Sequence, residues 1–543
     1  MEVLLESEEQ MGQNKQKGRG KRQRPAGPSA ASPAVVADQT GRLLAERENE
    51  WLERLTTDPA SFAAVELEVH EQARRQADLY VAGLLAKASE QAQTAPHIDK
   101  VISTAEVPLR AVEKKRLLVV RLLGGLAITV MTLYCSPRAR TGKGRGTAGT
   151  GLYPELAAYR ISEGNSPNVQ AEVGRLVGLL PIEQARAELA RKGLEEDEKA
   201  VRRISGELGA QMLATRTRDL MRFRAGELPA GSEYVGKSIA VGMDGGRVRV
   251  RTIVKKIRGV GKRKRKKFKV EWREPKVVIL FEVDKKGRMV RGSRPVIDGT
   301  LQGPDALIEL VAFHLHRMGA AQAKVVTFVA DGAPWIWKRL DWVVARVKLD
   351  PCRVVEVLDW CHAVHHLSVA LAALPLTEDQ RKELYKRLRK LLKNGKSRDV
   401  LAELCVLAVD EPGDSAVWRE IRYLTKHSDA GRLRYHCFRC RGVPMGSGVI
   451  ESTIRRVVNL RLKGNGIFWT EENAEAVFQL RAAVVSGRWE EILEHTREAI
   501  ARDRRTEWRW TPLECLAELK ALDDEDEELT QTSTKKQSRS AAA

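Results

Sequence analysis

The alternation of apolar and polar positions divides the chain into stretches of different character. Residues 39–95 are rich in Ala, Leu, Glu and Arg, with Leu44, Trp51, Leu52 and Leu55 at helical intervals, and predict two or three helices. Leu117 to Tyr134 carries β-branched runs on either side of Gly124-Gly125, the pattern of a hairpin, and an Arg/Gly/Thr-rich loop follows to Thr150. Between Pro167 and Leu208 a compact helical unit is expected. Pro181 opens a helix through Ala185 and Leu189, Gly193 breaks it, and a further helix turns Val201 and Ile204 inward, leaving Lys199, Arg202 and Arg203 outside. A DNA-binding helix-turn-helix and an ordinary helical hairpin share that outline.

After Tyr234 the pattern becomes mixed. Strand-like runs fall at Ser238–Met243, Arg247–Val254, Val277–Val283, Val325–Ala330 and Arg353–Leu358, with a helix at Pro304–Met318. This order predicts an α/β fold, a mixed sheet covered by helices. Thr377–Tyr423 reads as polar and helical, an insertion, and helices resume at Val449–Leu460, Glu471–Val485 and Trp489–Arg502. The resulting division is a basic disordered arm (1–38), a helical region with a hairpin (39–150), a helix-turn-helix domain (151–233), the first part of an α/β core (234–376), a helical insertion (377–444), the rest of the core (445–505) and a tail (506–543).

Charge narrows the partners. With 93 Lys and Arg against 72 Asp and Glu the formal charge is +21, so polyanions are attracted and nucleic acid is the expected partner. The surplus concentrates in Lys15–Arg24, Arg138–Arg145 and Lys255–Lys269. The densest run, Lys262, Arg263, Lys264, Arg265, Lys266 and Lys267, lies between two expected strands, at a hairpin tip where its charges would meet phosphates rather than read bases. Seven scattered cysteines fit a reducing compartment, the first residues lack the order of a signal peptide, and Leu122–Cys135, the longest apolar stretch, is too short to span a bilayer. A cytoplasmic, nucleoid-associated protein with no membrane role is expected.

Three acids stand where a metal site is commonly built. Asp244 and Asp331 each end a strand-like run and precede Gly, and Glu451 opens a helix after Gly446-Ser-Gly-Val-Ile. Strand-end aspartates with a Glu-bearing helix laid across them could supply oxygen ligands for Mg²⁺. Taken singly, Asp-Gly is a turn dipeptide, and Glu451 with Arg455 is an ordinary helical ion pair. Arg455, Arg456, Arg461 and Lys463 continue the same segment, where basic side chains could hold a strand being cut, and Trp469 suits either base stacking or the core.

Several strings in fixed order carry a resemblance: Val241-Gly-Met-Asp-Gly-Gly-Arg-Val, Ala330-Asp-Gly-Ala-Pro-Trp-Ile-Trp, Leu358-Asp-Trp-Cys-His, Gly446-Ser-Gly-Val-Ile-Glu-Ser, Arg461-Leu-Lys-Gly and Trp469. Over about Ser238 to Ser486 the chain resembles the DDE transposases of bacterial insertion sequences, and within them the ISKra group of the Mutator-like assemblage. The resemblance implies a ribonuclease H-like fold with a helical insertion before the Glu. It implies Asp244, Asp331 and Glu451 as a catalytic triad holding two Mg²⁺, for which Mn²⁺ can substitute. The implied activity is cleavage at element ends and transfer of the freed 3′-hydroxyl into target DNA, by a homo-oligomer on double-stranded DNA. Asp359 and His362 match the group's Asp-x-x-His signature and join the catalytic set, the His contacting phosphate or remaining structural. A repurposed DNA-binding relative and a nuclease that cuts without joining are the alternatives. A zinc hydrolase using His362, His365 and His366, a zinc half-site at Cys437 and Cys440, and a glycoside hydrolase are weaker readings.

Overall fold

Gly124 and Gly125 turn the first hairpin because nothing larger fits: a Cβ at Gly124 would lie 2.6 Å from the Arg74 carbonyl oxygen, and Gly125 has φ +99°. The buried carboxylate of Asp78, on the neighbouring helix, accepts the Gly124 and Leu126 N–H groups at 2.9 Å each and pins the turn. The computed structural model describes residues 2–4, 45, 47–105, 108–137, 151–162, 164–257, 265–502 and 510–522. The chain divides into two units, Met1–Met212 with Glu490–Arg509, and Leu213–Trp489 with Trp510–Ala543.

In the first unit helices α1 (47–57), α2 (Phe62–Glu90) and α3 (Ala95–Ser103) precede the hairpin of β2 (Leu109–Arg121) and β3 (Ala127–Pro137). β1 (Glu2–Leu4) pairs with β3, so three residues of the expected arm lie in a sheet of order β1-β3-β2. The rest of the arm lies outside the described residues, as does the loop 138–150. A short helix α4 (Pro154–Ala158) is followed by α5 (Pro167–Leu179), α6 (Ile182–Arg191) and α7 (Glu198–Arg224). Gly193, φ +80°, separates α6 from α7. Ala185, Leu189, Val201 and Ile204 are buried, and Lys199, Arg202 and Arg203 are exposed on α7, with Arg202 paired to Glu198.

α7 runs on past the expected helical unit, so the boundary falls near Met212 rather than at 233. Leu220 and Phe223 enter the core of the second unit, whose centre is a five-stranded sheet of order β10-β9-β4-β7-β8. Its strands are β4 (Ser238–Gly245), β7 (Lys276–Glu282), β8 (Val296–Thr300), β9 (Val325–Ala330) and β10 (Val354–Leu358). β4 is antiparallel to β7 and β7 to β8, whereas β9 is parallel to both β4 and β10. These strands are near-continuous apolar runs, as a sheet covered on both faces requires. The expected strand at Arg247–Val254 lies elsewhere: β5 (Val248–Ile257) pairs with β6 (Arg265–Arg273) in a separate two-stranded ribbon.

Helix α8 (Pro304–Arg317) packs on β7 and β8, and the short helices α9 (Pro334–Trp337) and α10 (Leu340–Val347) link β9 to β10. After β10 comes α11 (Trp360–Ala372), then the insertion: α12 (Glu378–Lys393), α13 (Ser397–Leu407), α14 (Ala416–Asp429) and α15 (Tyr435–Cys440). Polar outside, these helices still bury Leu388, Leu392, Leu404, Ile421 and Leu424 in one core with α11 and β10. α16 (Gly448–Ile454) and α17 (Glu471–Val485) complete the unit, and α18 (Trp489–Arg502) belongs from Glu490 onward to the first unit, not to the α/β core. The expected tail also contributes to the core, through buried Leu513 and Leu519. Among the described residues no helix is long and apolar enough to cross a membrane.

Candidate active site

The pairing of β4 with β9 sets Ser238 opposite Val325 and Gly242 opposite Val329. Carried two residues further, this register brings Asp244 level with Asp331. The pairing of β9 with β10 sets Ala330 opposite Leu358, so Asp359 is level with Asp331 in turn, and its N–H donates to the Ala330 carbonyl at 2.9 Å. Asp244, Asp331 and Asp359 thus form a row across the C-terminal ends of neighbouring parallel strands, where α/β sheets commonly bind ligands.

Each aspartate is held differently. Asp244 Oδ1 accepts the Gly245 N–H at 2.6 Å. Burial pushes its carboxyl up, the charge of Asp331 adds to this, and His362 and Lys276 oppose it. Asp331 Oδ1 accepts the Ala333 N–H at 2.9 Å, and its carbonyl accepts the Trp337 indole N–H at 2.7 Å. Asp359 is 1% exposed and fully engaged: Oδ2 meets His362 Nδ1 at 2.8 Å and its N–H at 3.2 Å, while Oδ1 accepts the Ser447 N–H at 2.9 Å. Burial would raise its carboxyl, but these bonds outweigh burial and hold it below its usual range. Asp359 is therefore an anchor for His362 and for the entry to α16, not an open ligand.

His362 is half-exposed, and its bond to Asp359 pushes its pKa up against burial, helped by the charges of Asp331 and Asp244. Glu451 lies exposed in the first turn of α16, where its Oε1 accepts the Ser447 hydroxyl at 3.1 Å. α16 packs on β4 and β7. Its Ile450 sits against Gly242, where a Cβ would lie 3.1 Å from the Ile450 Cβ. A bare backbone two residues before Asp244 thus lets the Glu-bearing helix approach β4. Asp244, Asp331 and Glu451 are brought to one end of the sheet but are not drawn into a closed ligand group: among the described residues no three His, Cys, Asp or Glu side chains are grouped to hold a metal ion.

After α16 the chain makes a π-helical turn, Arg455–Asn459, which buries Val457 and Val458 and leaves Arg455 and Arg456 exposed. Lys463 is also exposed. Arg461 is not: it is 5% exposed, with its guanidinium 5.3 Å from the Trp469 ring and its pKa lowered by burial to about 10, so its side chain is packed inside the protein rather than at the surface expected for it. Trp469 is a packing residue, its indole N–H donating to the Leu462 carbonyl at 2.8 Å. Lys262, Arg263 and Lys264 lie outside the described residues, and Arg265, Lys266 and Lys267 lie on β6.

His366 Nδ1 bonds Glu420, and its ring stacks on Tyr423 at 3.7 Å, so this side chain of α11 is packed against α14 of the insertion, and among the described residues it is not grouped with His362 as metal ligands. Cys437 and Cys440 are exposed thiols on α15, and Cys440 Sγ has His436 Nε2 at 3.8 Å. Sequence reasoning missed Lys276, Ser447 and Tyr423. The Tyr423 ring packs so tightly on the turn after Asp331 that a Cβ at Gly332 would lie 2.0 Å from its hydroxyl. No periodicity marks such a contact, because its partners are brought together only by the insertion. No family model, no curated protein and no solved structure matches the chain.

Proposed function

We propose that the second unit is a ribonuclease H-like phosphoryl-transfer domain and that the chain is a DDE-type transposase. The strand order, with an antiparallel trio followed by two parallel strands, supports that fold. The observation that carries the chemistry is the register that sets Asp244 level with Asp331 beneath the helix bearing Glu451.

The donor set suits Mg²⁺: all ligating atoms would be carboxylate oxygens, and Asp244, pushed up chiefly by burial and further by the charge of Asp331, is a carboxylate whose ionised form a divalent cation would favour. Asp244, Asp331 and Glu451 would hold the ions. Bound there, two Mg²⁺ would stabilise the attacking and leaving oxygens of a displacement at phosphorus. The protein's own groups do the rest. Asp359 accepts a hydrogen bond from His362 Nδ1–H, which fixes the ring and leaves Nε2–H of the cationic form to donate to a phosphate oxygen. Arg455, Arg456 and Lys463 supply cations beside the Glu-bearing helix for the strand being cut, and Lys199, Arg202 and Arg203 on α7 supply them for duplex element ends. No side chain serves as nucleophile, so water and then a DNA 3′-hydroxyl attack.

Joining separates this reading from a nuclease that only cuts. Labelled DNA carrying the element's terminal repeats, incubated with the protein, a target plasmid and Mg²⁺, is expected to yield covalently joined products, and none in EDTA. Cut ends without joined products would favour the nuclease, and tight binding without cutting would favour the repurposed DNA-binding relative.

A further inference from the structure

The ribbon of β5 and β6 stands outside the central sheet and shows one unusual face. Arg249 is opposite Trp272, Arg251 opposite Val270 and Ile253 opposite Phe268, and strand alternation puts these side chains on the same side. Trp272 is 56% exposed and Phe268 47%, and Ile253 and Val270 are also open. The Arg249 guanidinium lies 5.6 Å from the Trp272 ring centre and 4.8 Å from that of Phe468, and it donates to the Gly464 carbonyl. Arg251 lies 6.0 Å from the Phe268 ring. The base of the ribbon is fixed by Trp469, whose N–H donates to the Arg249 carbonyl at 3.0 Å and whose carbonyl accepts the Arg251 N–H at 2.8 Å.

We propose that this face binds unpaired nucleotides of the DNA substrate. An exposed apolar patch of this kind marks an interaction surface. Its partner is anionic, because among the described residues the face carries Arg249 and Arg251 and no carboxylate, Glu271 pairing with Val250 on the other side. Its partner is also flat, because the face presents aromatic rings held by cations, the arrangement on which bases stack. Bases inside a duplex are already stacked, so only unpaired or splayed nucleotides can use the rings. The inference rests on the recombinase reading for the source of such nucleotides, the opened ends of the element, but not on the metal chemistry.

The test uses the full chain in EDTA, so that no cutting occurs, with a blunt duplex and the same duplex bearing a single-stranded overhang that contains 2-aminopurine. Wild type is expected to prefer the overhang and to quench the 2-aminopurine. Trp272→Ala and Phe268→Ala are each expected to weaken overhang binding about tenfold and to relieve the quench, with blunt-duplex affinity kept within about twofold and Trp272→Phe retaining most binding. Unchanged melting temperature keeps misfolding from imitating this result. Equal losses on both DNAs, or no loss on either, would overturn the proposal. So would altered self-association with overhang binding intact, which would make the face a protein contact. If instead the triad variants retain cutting while the overhang results hold, it is the transposase chemistry that fails and not this binding face.

Discussion

Asp359 is a single buried side chain that organises two others. Its carboxylate orients His362 and also fixes Ser447 at the entry to the helix bearing Glu451. Charge-assisted bonds lost from a buried group make Asp359→Ala expensive, about 3 kcal/mol in urea unfolding. Under the proposed function, cutting should fall further than stability accounts for, because His362 and Glu451, both assigned to the proposed site, lose their positions together. A variant that loses stability but cuts normally at low temperature would remove Asp359 from the mechanism. His427 makes a pH prediction. Burial first, then Arg432 and Lys426, lower its pKa to about 3. With the unfolded value near 6.5, its stabilising contribution is complete above about pH 6.5 and drains away as pH falls toward 3, where the unfolded chain alone binds the proton. The urea midpoint of wild type should therefore drop between pH 7 and pH 5, and His427→Leu should show a smaller drop. An equal drop in both proteins would contradict this.

At the scale of elements, the insertion packs directly against the proposed site. Its helix α14 carries Tyr423 against Gly332, beside Asp331. Gly332→Ala should lower cutting by about tenfold or more, since the new Cβ would lie only 2.0 Å from the hydroxyl of a rigid ring, and Tyr423→Ala in the same chain should restore part of the loss. Additive losses would mean that the contact is not what constrains Gly332. The elements themselves were unequally legible in the sequence. β9 was readable to the residue, because Val325 to Ala330 is an apolar run bounded by Lys324 and by Asp331-Gly332. β8 was not, because Val296–Thr300 is short and Asp298-Gly299 reads as a turn. Asp298 is instead fully buried, paired with Arg216 at 2.7 Å and His314 at 2.7 Å, partners that no local pattern links to it. β6 was hidden by its charges, and with it the ribbon: hydrophobic alternation assigns a strand but not the sheet it joins. The acids of the site were visible as residues, whereas the register that aligns Asp244, Asp331 and Asp359 required the paired strands.

Over the whole molecule, a chain of net charge +21 places the acids of its proposed site at the mouth of one sheet and its exposed cations on nearby and separate elements. Such a distribution suits a protein that holds polyanions broadly by charge and acts on them at one point. If so, the two roles are separable: removing the site's carboxylates should abolish chemistry and leave DNA affinity unchanged or raised, since negative charge is lost. The decisive measurement is Mg²⁺-dependent strand cutting by wild type, Asp244→Ala, Asp331→Ala and Glu451→Ala, each at DNA concentrations that saturate binding. Cutting is expected from wild type, with all three variants at least about a thousandfold slower, as loss of two-metal electrostatic stabilisation implies. Cutting at the wild-type rate by any of the three, with folding and DNA binding intact, would contradict it.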